Sequence, residues 1–150
     1  MALHTFPSSE QSVKVYEGIE GLKNGIMLAL DDLEPGDDYF VIANIESIIE
    51  LAPKFFMNFA NKRAKFNINL QTILQDGPLT RKYAEDMRHT REEIKFLPKD
   101  TKLAANIVVT SHRVVMPHIT TFVGAVVIEN KHAVATHQTL FKLLWKNQKI

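Results

Sequence analysis

At 150 residues, with 45 % apolar and 23 % charged side chains, the chain is long enough for one hydrophobic core and too short for two. A formal net charge of +1 gives no bulk attraction to nucleic acid or to an anionic membrane, so any contact with a polyanion has to be local. With no cysteine, disulfides, thiolate zinc sites and a cysteine nucleophile are excluded, which fits a reducing, cytoplasmic setting.

Residues 1–12 lack a basic start followed by an apolar run, so they read as a flexible tail rather than a signal peptide, ahead of one domain over residues 13–150. No membrane contact is expected, because no stretch approaches the ~20 apolar residues of a spanning helix. Residues 13–16 suit a short strand that ends at Glu17-Gly18. Ile19, Leu22, Ile26, Ala29, Leu30 and Leu33 then recur at helical spacing, with Pro35-Gly36 as the stop. Gly18, Gly21 and Gly25 have the wrong spacing for a phosphate loop, which leaves them turn formation and close packing of this helix. Residues 39–43 are apolar on both faces, as in a strand covered above and below.

Ser47 and Glu50 have the form of a capping box, and Pro53 divides the stripe that follows into a helical turn and a longer helix. Lys62, Arg63 and Lys65 fall at the carbonyl end of that helix, where cations suit its dipole. Residues 66–74 alternate as a strand with one wetter face, expected near a sheet edge and stopped by Asp76-Gly77-Pro78. Leu79, Tyr83 and Met87 support a modest helix, and residues 93–97 a strand. Residues 105–110 and 113–116 form a hairpin across Ser111-His112, residues 122–128 a continuously apolar, central strand, and residues 131–146 a closing amphipathic helix. Strands alternating with helices, followed by a strand-rich half, predict an α/β fold with a mixed sheet flanked by helices on both faces.

Chemistry is sparse along this order. His132 and His137 are five apart rather than the four that puts two rings on one helical face, so no metal site is expected. There is no G-x-S-x-G elbow and no phosphate-binding glycine loop, and no cofactor is expected. Lys62, Arg63 and Lys65 read either as a solvated helix end or as contacts to a phosphate backbone. Asp76 lies just past a strand end beside Gly77, where open α/β sheets place ligand contacts, although a turn-forming aspartate reads the same way.

Three stretches together carry a resemblance. "VYEGIEGLKNGIMLAL", "EIKFLPKD" ahead of "NIVVTSHRVVM", and "AVVIENKHAVATHQTLFKLLWK" are similar to matching parts of TrmB-like transcriptional regulators. Such regulators join a winged-helix DNA-binding domain to a phospholipase D-like domain used for effector sensing or dimerisation. The resemblance implies a phospholipase D-like half: a mixed sheet flanked by helices. The stretch before Val13 is too short for a winged helix, so DNA binding would come only through a separate winged-helix domain. Catalytic relatives of the fold use H-x-K-x-x-x-x-D, with histidine as nucleophile and lysine as phosphate clamp. No histidine here has a lysine two positions later, and the matching strand carries Ala104, Ala105, Asn106 and Ile107. Without that nucleophile the fold keeps a binding cleft and no hydrolysis, so no enzyme is expected.

The expected function is therefore a non-catalytic regulatory domain that senses a small-molecule effector. Because two halves share a cleft in this fold, a chain with one half is expected to form an isologous homodimer. Polar residues past strand ends are the candidate ligand contacts: Asn44, Gln75, Asp76 and Asn106, with His112 and Arg113 in the hairpin. The alternatives are a diverged phosphodiesterase-like enzyme and a stand-alone nucleic-acid-binding module using Lys62, Arg63 and Lys65.

Overall fold

The structure is a computed structural model and describes residues 11–148. The tail expected over residues 1–12 lies outside the described residues except at its end, where Ser12 already belongs to the first strand. In chain order the elements are β1 (Ser12–Glu17), α1 (Gly18–Leu28), β2 (Asp38–Ala43), α2 (Glu46–Leu51), α3 (Pro53–Ala64) and β3 (Asn69–Leu74). Then come α4 (Pro78–Asp86), β4 (Glu93–Phe96), β5 (Ile107–Thr110), β6 (Val114–Ile119), β7 (Val123–Glu129) and α5 (Lys131–Lys146).

The strands form one seven-stranded mixed sheet in the order β1-β7-β6-β5-β2-β3-β4. β2, β3 and β4 are parallel, and every other neighbouring pair is antiparallel. Because the chain steps in one direction from β2 to β3 to β4, right-handed crossovers put their connecting helices on the same face. The packing agrees: Ile48 of α2, Phe56, Phe59 and Ala60 of α3, and Tyr83 of α4 share one core with Tyr39, Val41, Leu70 and Leu74. Leu22 of α1 joins that core, beside Ala125 and Val127.

On the opposite face α5 is the covering helix among the described residues, with Val134 and Phe141 against Phe40, Ile73, Val109 and Val114, and Leu97 and Leu103 join the same cluster. Phe141 stacks on Phe40 with ring centroids 4.4 Å apart and planes 5° from parallel. Asn130 opens this helix, its Oδ1 accepting the Ala133 N–H at 3.0 Å.

Several expectations change in detail. The first helix ends at Leu28, well before Pro35, because the carbonyls of Leu28 and Asp31 accept hydrogen bonds from Arg113 and the chain turns there. Ser47 does not cap α2; Ile45 is its N-cap, and Asn44 Oδ1 accepts the Glu46 N–H at 3.2 Å. β3 begins at Asn69 rather than at Phe66; it does lie near a sheet edge, second from it, between β2 and the edge strand β4. β7 is interior but second from the edge; the middle of the sheet is β5. A continuous apolar run marks a strand covered on both faces and does not say how many strands flank it.

The expected role of the glycines in α1 holds. Gly18 has φ +78 at the turn into the helix, and a Cβ on Gly25 would lie 2.3 Å from the Ala125 Cβ, so α1 sits directly on β7.

Candidate ligand cavity and the polar groups at the strand ends

α3 carries Phe56, Phe59, Ala60 and Arg63 at intervals of three and four, which puts all four on one stripe facing the sheet. Arg63 is therefore buried, at 5 % exposure, and is not the solvated helix-end cation that its neighbours Lys62 and Lys65 are. Its guanidinium lies between the aromatic rings of Tyr39 and Phe59, 5.4 Å from each centroid. Arg63 Nη2 donates to Tyr83 Oη at 2.6 Å and faces both Glu92 oxygens at 3.4 Å. Tyr83 Oη donates to Glu92 Oε1 at 2.6 Å, and Thr72 Oγ1 donates to Glu92 Oε2 at 2.7 Å.

Burial works against the Arg63 cation, but Tyr83, Glu92 and Tyr39 outweigh it and hold the guanidinium pKa above its ordinary value. Burial likewise pushes the Tyr39 and Tyr83 phenols upward, so both remain neutral donors. One group is left over. Arg63 Nε is fully buried and has no hydrogen-bond partner among the described residues.

This cluster forms one wall of a cavity of about 60 Å³ between the sheet and α2, α3 and α4. The other walls are chiefly apolar, with Ala43, Ile48, Phe56, Val108 and Ile119 among them. Asn44 and Asn106 line it at the carboxyl end of β2, where the sheet changes from parallel to antiparallel pairing. The strand order also switches there, the chain leaving β2 for β3 on one side and returning to its other side as β5, and open α/β sheets bind ligands outside the carboxyl ends of their strands at such switch points.

The six candidate residues separate into three places. Asn44 and Asn106 meet, the Asn44 N–H donating to Asn106 Oδ1 at 2.8 Å. Gln75 and Asp76 follow β3 at the same end of the sheet, but each is held: Gln75 Oε1 accepts the Leu103 N–H at 2.6 Å, and Asp76 forms two 2.8 Å bonds with Arg81. His112 and Arg113 lie at the other end, in the β5–β6 turn. His112 Nε2 is 3.1 Å from Asp37 Oδ2. Arg113 donates to Leu28 O, Asp31 O, Asp32 Oδ2 and Glu129 Oε2.

The two buried arginines thus differ in kind. Arg113 uses Nε as well, on Glu129 at 3.2 Å, and works as a clamp on the end of α1, whereas Arg63 keeps one donor unused beside a cavity. Side-chain hydrogen bonding from Arg113 holds the Asp32 carboxyl below its ordinary pKa, and Arg81 does the same for Asp76. Sequence reasoning missed Arg63, Tyr83, Thr72 and Glu92 as lining residues. The stripe through positions 56, 59, 60 and 63 was the available signal for Arg63, whereas Glu92 stands in a connection with no pattern of its own.

Elsewhere, Lys65, His89 and Arg91 gather around an open hollow between the end of α3 and the connection preceding β4. Among the described residues no group of three or more histidine or carboxylate side chains is placed to hold a metal ion, and no helix is long and apolar enough to cross a membrane.

No family model matches the chain, and no curated protein matches its sequence. A solved structure does. The fold is similar to that of TrmBL2, an archaeal chromatin protein described as having a novel mode of DNA binding, with a TM-score of 0.63 and 15 % sequence identity. The likeness covers 94 % of this chain and 55 % of that one, so the chain spans about half the length of the archaeal protein. At that identity the likeness establishes a common fold.

Proposed function

We propose that the chain is a regulatory domain of the TrmB-like kind, a phospholipase D-like half that senses a small effector and pairs with a second copy rather than turning over a substrate. The observation that carries this reading is the fold likeness to an archaeal chromatin protein over 94 % of the chain. Its 55 % span of that protein leaves room for DNA contact to reside in a separate winged-helix domain. The cavity supplies a place for an effector, with Asn44 and Asn106 beside it. A non-catalytic role accords with the groups at the strand ends, since His112, Arg113, Asp76 and Gln75 are each engaged within the chain.

Pairing with a second copy would use β1, an edge strand whose Val13 and Val15 are 68 % and 56 % exposed. Sedimentation velocity tests it: a species of twice the 17.1 kDa chain mass supports the reading, and a monomer at high concentration removes the dimer from it. Catalysis is tested with bis(4-nitrophenyl) phosphate, where turnover that disappears in His112→Ala would replace a regulatory domain with an enzyme.

A second reading, direct contact with nucleic acid, has one observation in its favour. Lys62 and Lys65 are exposed, and Lys65, His89 and Arg91 converge on one hollow, although the buried Arg63 is withdrawn from that set. Retention on DNA that falls steeply with salt and is lost in Lys65→Ala/Arg91→Ala would favour it; no retention at low salt would remove it.

A further inference from the structure

We infer that the cavity beside Arg63 takes a compact, uncharged ligand with an apolar body and one acceptor oxygen, a carbonyl or hydroxyl, which receives the hydrogen of Arg63 Nε. The inference rests on the reading of the domain as an effector sensor and deepens it by naming the ligand chemistry.

Three features select that chemistry. The first is the unused donor: Arg63 Nε is buried without a partner among the described residues, and Arg63 lines the cavity. A buried N–H left unpaired is costly, so a ligand oxygen that reaches it gains more than the same contact in water. The second is charge. Arg63 and Glu92 form an ion pair whose side chains are 6 % and 2 % exposed, so the wall is already neutral and an added carboxylate or phosphate would sit buried without a counter-charge. The third is size and lining. A volume of about 60 Å³ corresponds to roughly four water-sized positions, and the walls outside the Arg63 corner are chiefly apolar. A sugar would leave most of its hydroxyls unpaired there, whereas a short ketone, ester or alcohol pairs its single oxygen and buries the rest.

Several other polar groups that line the cavity are engaged. Tyr83 Oη and Thr72 Oγ1 donate to Glu92, Asn44 Oδ1 accepts the Glu46 N–H, and Asn106 Nδ2 points to Pro117 O at 3.4 Å. Arg63 Nε is the fully buried donor on this wall that has no partner among the described residues.

The test uses 2-butanone as probe, with xenon as an apolar probe lacking an acceptor, acetate as an anion and glucose as a polyol. Two readouts are followed: the Arg63 Nε–H resonance in ¹H–¹⁵N spectra and the thermal midpoint. Replacing Arg63 would strand Glu92, so specificity is judged with Ala43→Val and Val108→Ile, which extend apolar side chains into the cavity. 2-Butanone is expected to shift the Arg63 Nε–H signal with half-saturation on the order of millimolar, the range open to five heavy atoms. At tenfold excess over that concentration it should raise the midpoint by roughly 3 °C. Both filled variants should bind at least tenfold more weakly.

An equal response to xenon and 2-butanone, or a response that survives in both filled variants, overturns the inference. So does silence toward 2-butanone. If glucose, acetate or another polar effector instead stabilises the wild type, the ligand chemistry inferred here fails while the sensor reading stands. If no compound of any class stabilises the protein, both fail.

Discussion

Arg63 Nη2 stands 3.4 Å from each oxygen of Glu92, inside a core where the two side chains are 6 % and 2 % exposed. A pair so placed is unforgiving of single changes, because removing one partner leaves the other charge in an apolar wall. Arg63→Ala or Glu92→Ala is expected to cost about 3–5 kcal/mol in urea unfolding, and Arg63→Met/Glu92→Leu to recover most of that loss. A double variant no more stable than the singles would place the importance of the pair elsewhere than in charge matching.

Tyr83 links the pair, accepting from Arg63 and donating to Glu92, both at 2.6 Å. Tyr83→Phe keeps the ring against Phe56, 5.4 Å between centroids, and removes only the hydroxyl. The expected loss is about 1–3 kcal/mol, measured by the same unfolding curves.

The close seat of α1 on β7 yields a reciprocal test. Gly25→Ala places a methyl 2.3 Å from the Ala125 Cβ and should destabilise by about 1–3 kcal/mol despite its better helix propensity. Adding Ala125→Gly should restore part of the loss. Two independent, additive penalties would contradict the contact.

Acid sensitivity follows from Asp32 and Asp76, whose carboxyls lie below their ordinary pKa through Arg113 and Arg81 respectively. A depressed native pKa stabilises the fold above the unfolded carboxylate range, near pH 4, and that contribution disappears as pH falls through the lower native value. Asp32→Asn and Asp76→Asn should therefore have lower urea midpoints than wild type at pH 7. The gap should narrow as pH drops below the carboxylate range, and a gap independent of pH would contradict the ion pairs.

Much of the scaffold was legible because local patterns and tertiary burial coincide. Leu22 and Ile26 marked α1, Pro53 marked the start of α3, and the run through Val126 and Val127 marked a strand inside the sheet. Which face each helix covers was not legible, since the stripe on α5 is the same whether it meets Phe40 or the opposite side of β2. Strand-end reasoning found Asn44 and Asn106 at the cavity and also gathered His112 and Arg113, which the antiparallel pairing of β5 with β2 sends to the far end of the sheet. Arg63 was hidden by the company of Lys62 and Lys65. Its partner Glu92 is 29 residues away, in a connection without periodicity, so only the fold brings the two together.

The proposed sensor domain binds an effector in the cavity beside Arg63 and releases it unchanged. Thermal-shift screening of wild type and Ala43→Val against sugars, nucleotides, phosphorylated metabolites and small neutral carbonyl compounds, with each hit recovered and weighed by mass spectrometry, tests this most directly. At least one compound should stabilise wild type by several degrees, fail to stabilise Ala43→Val and return with its mass intact. Stabilisation indifferent to the filled cavity, or a hit returned hydrolysed, would contradict the account.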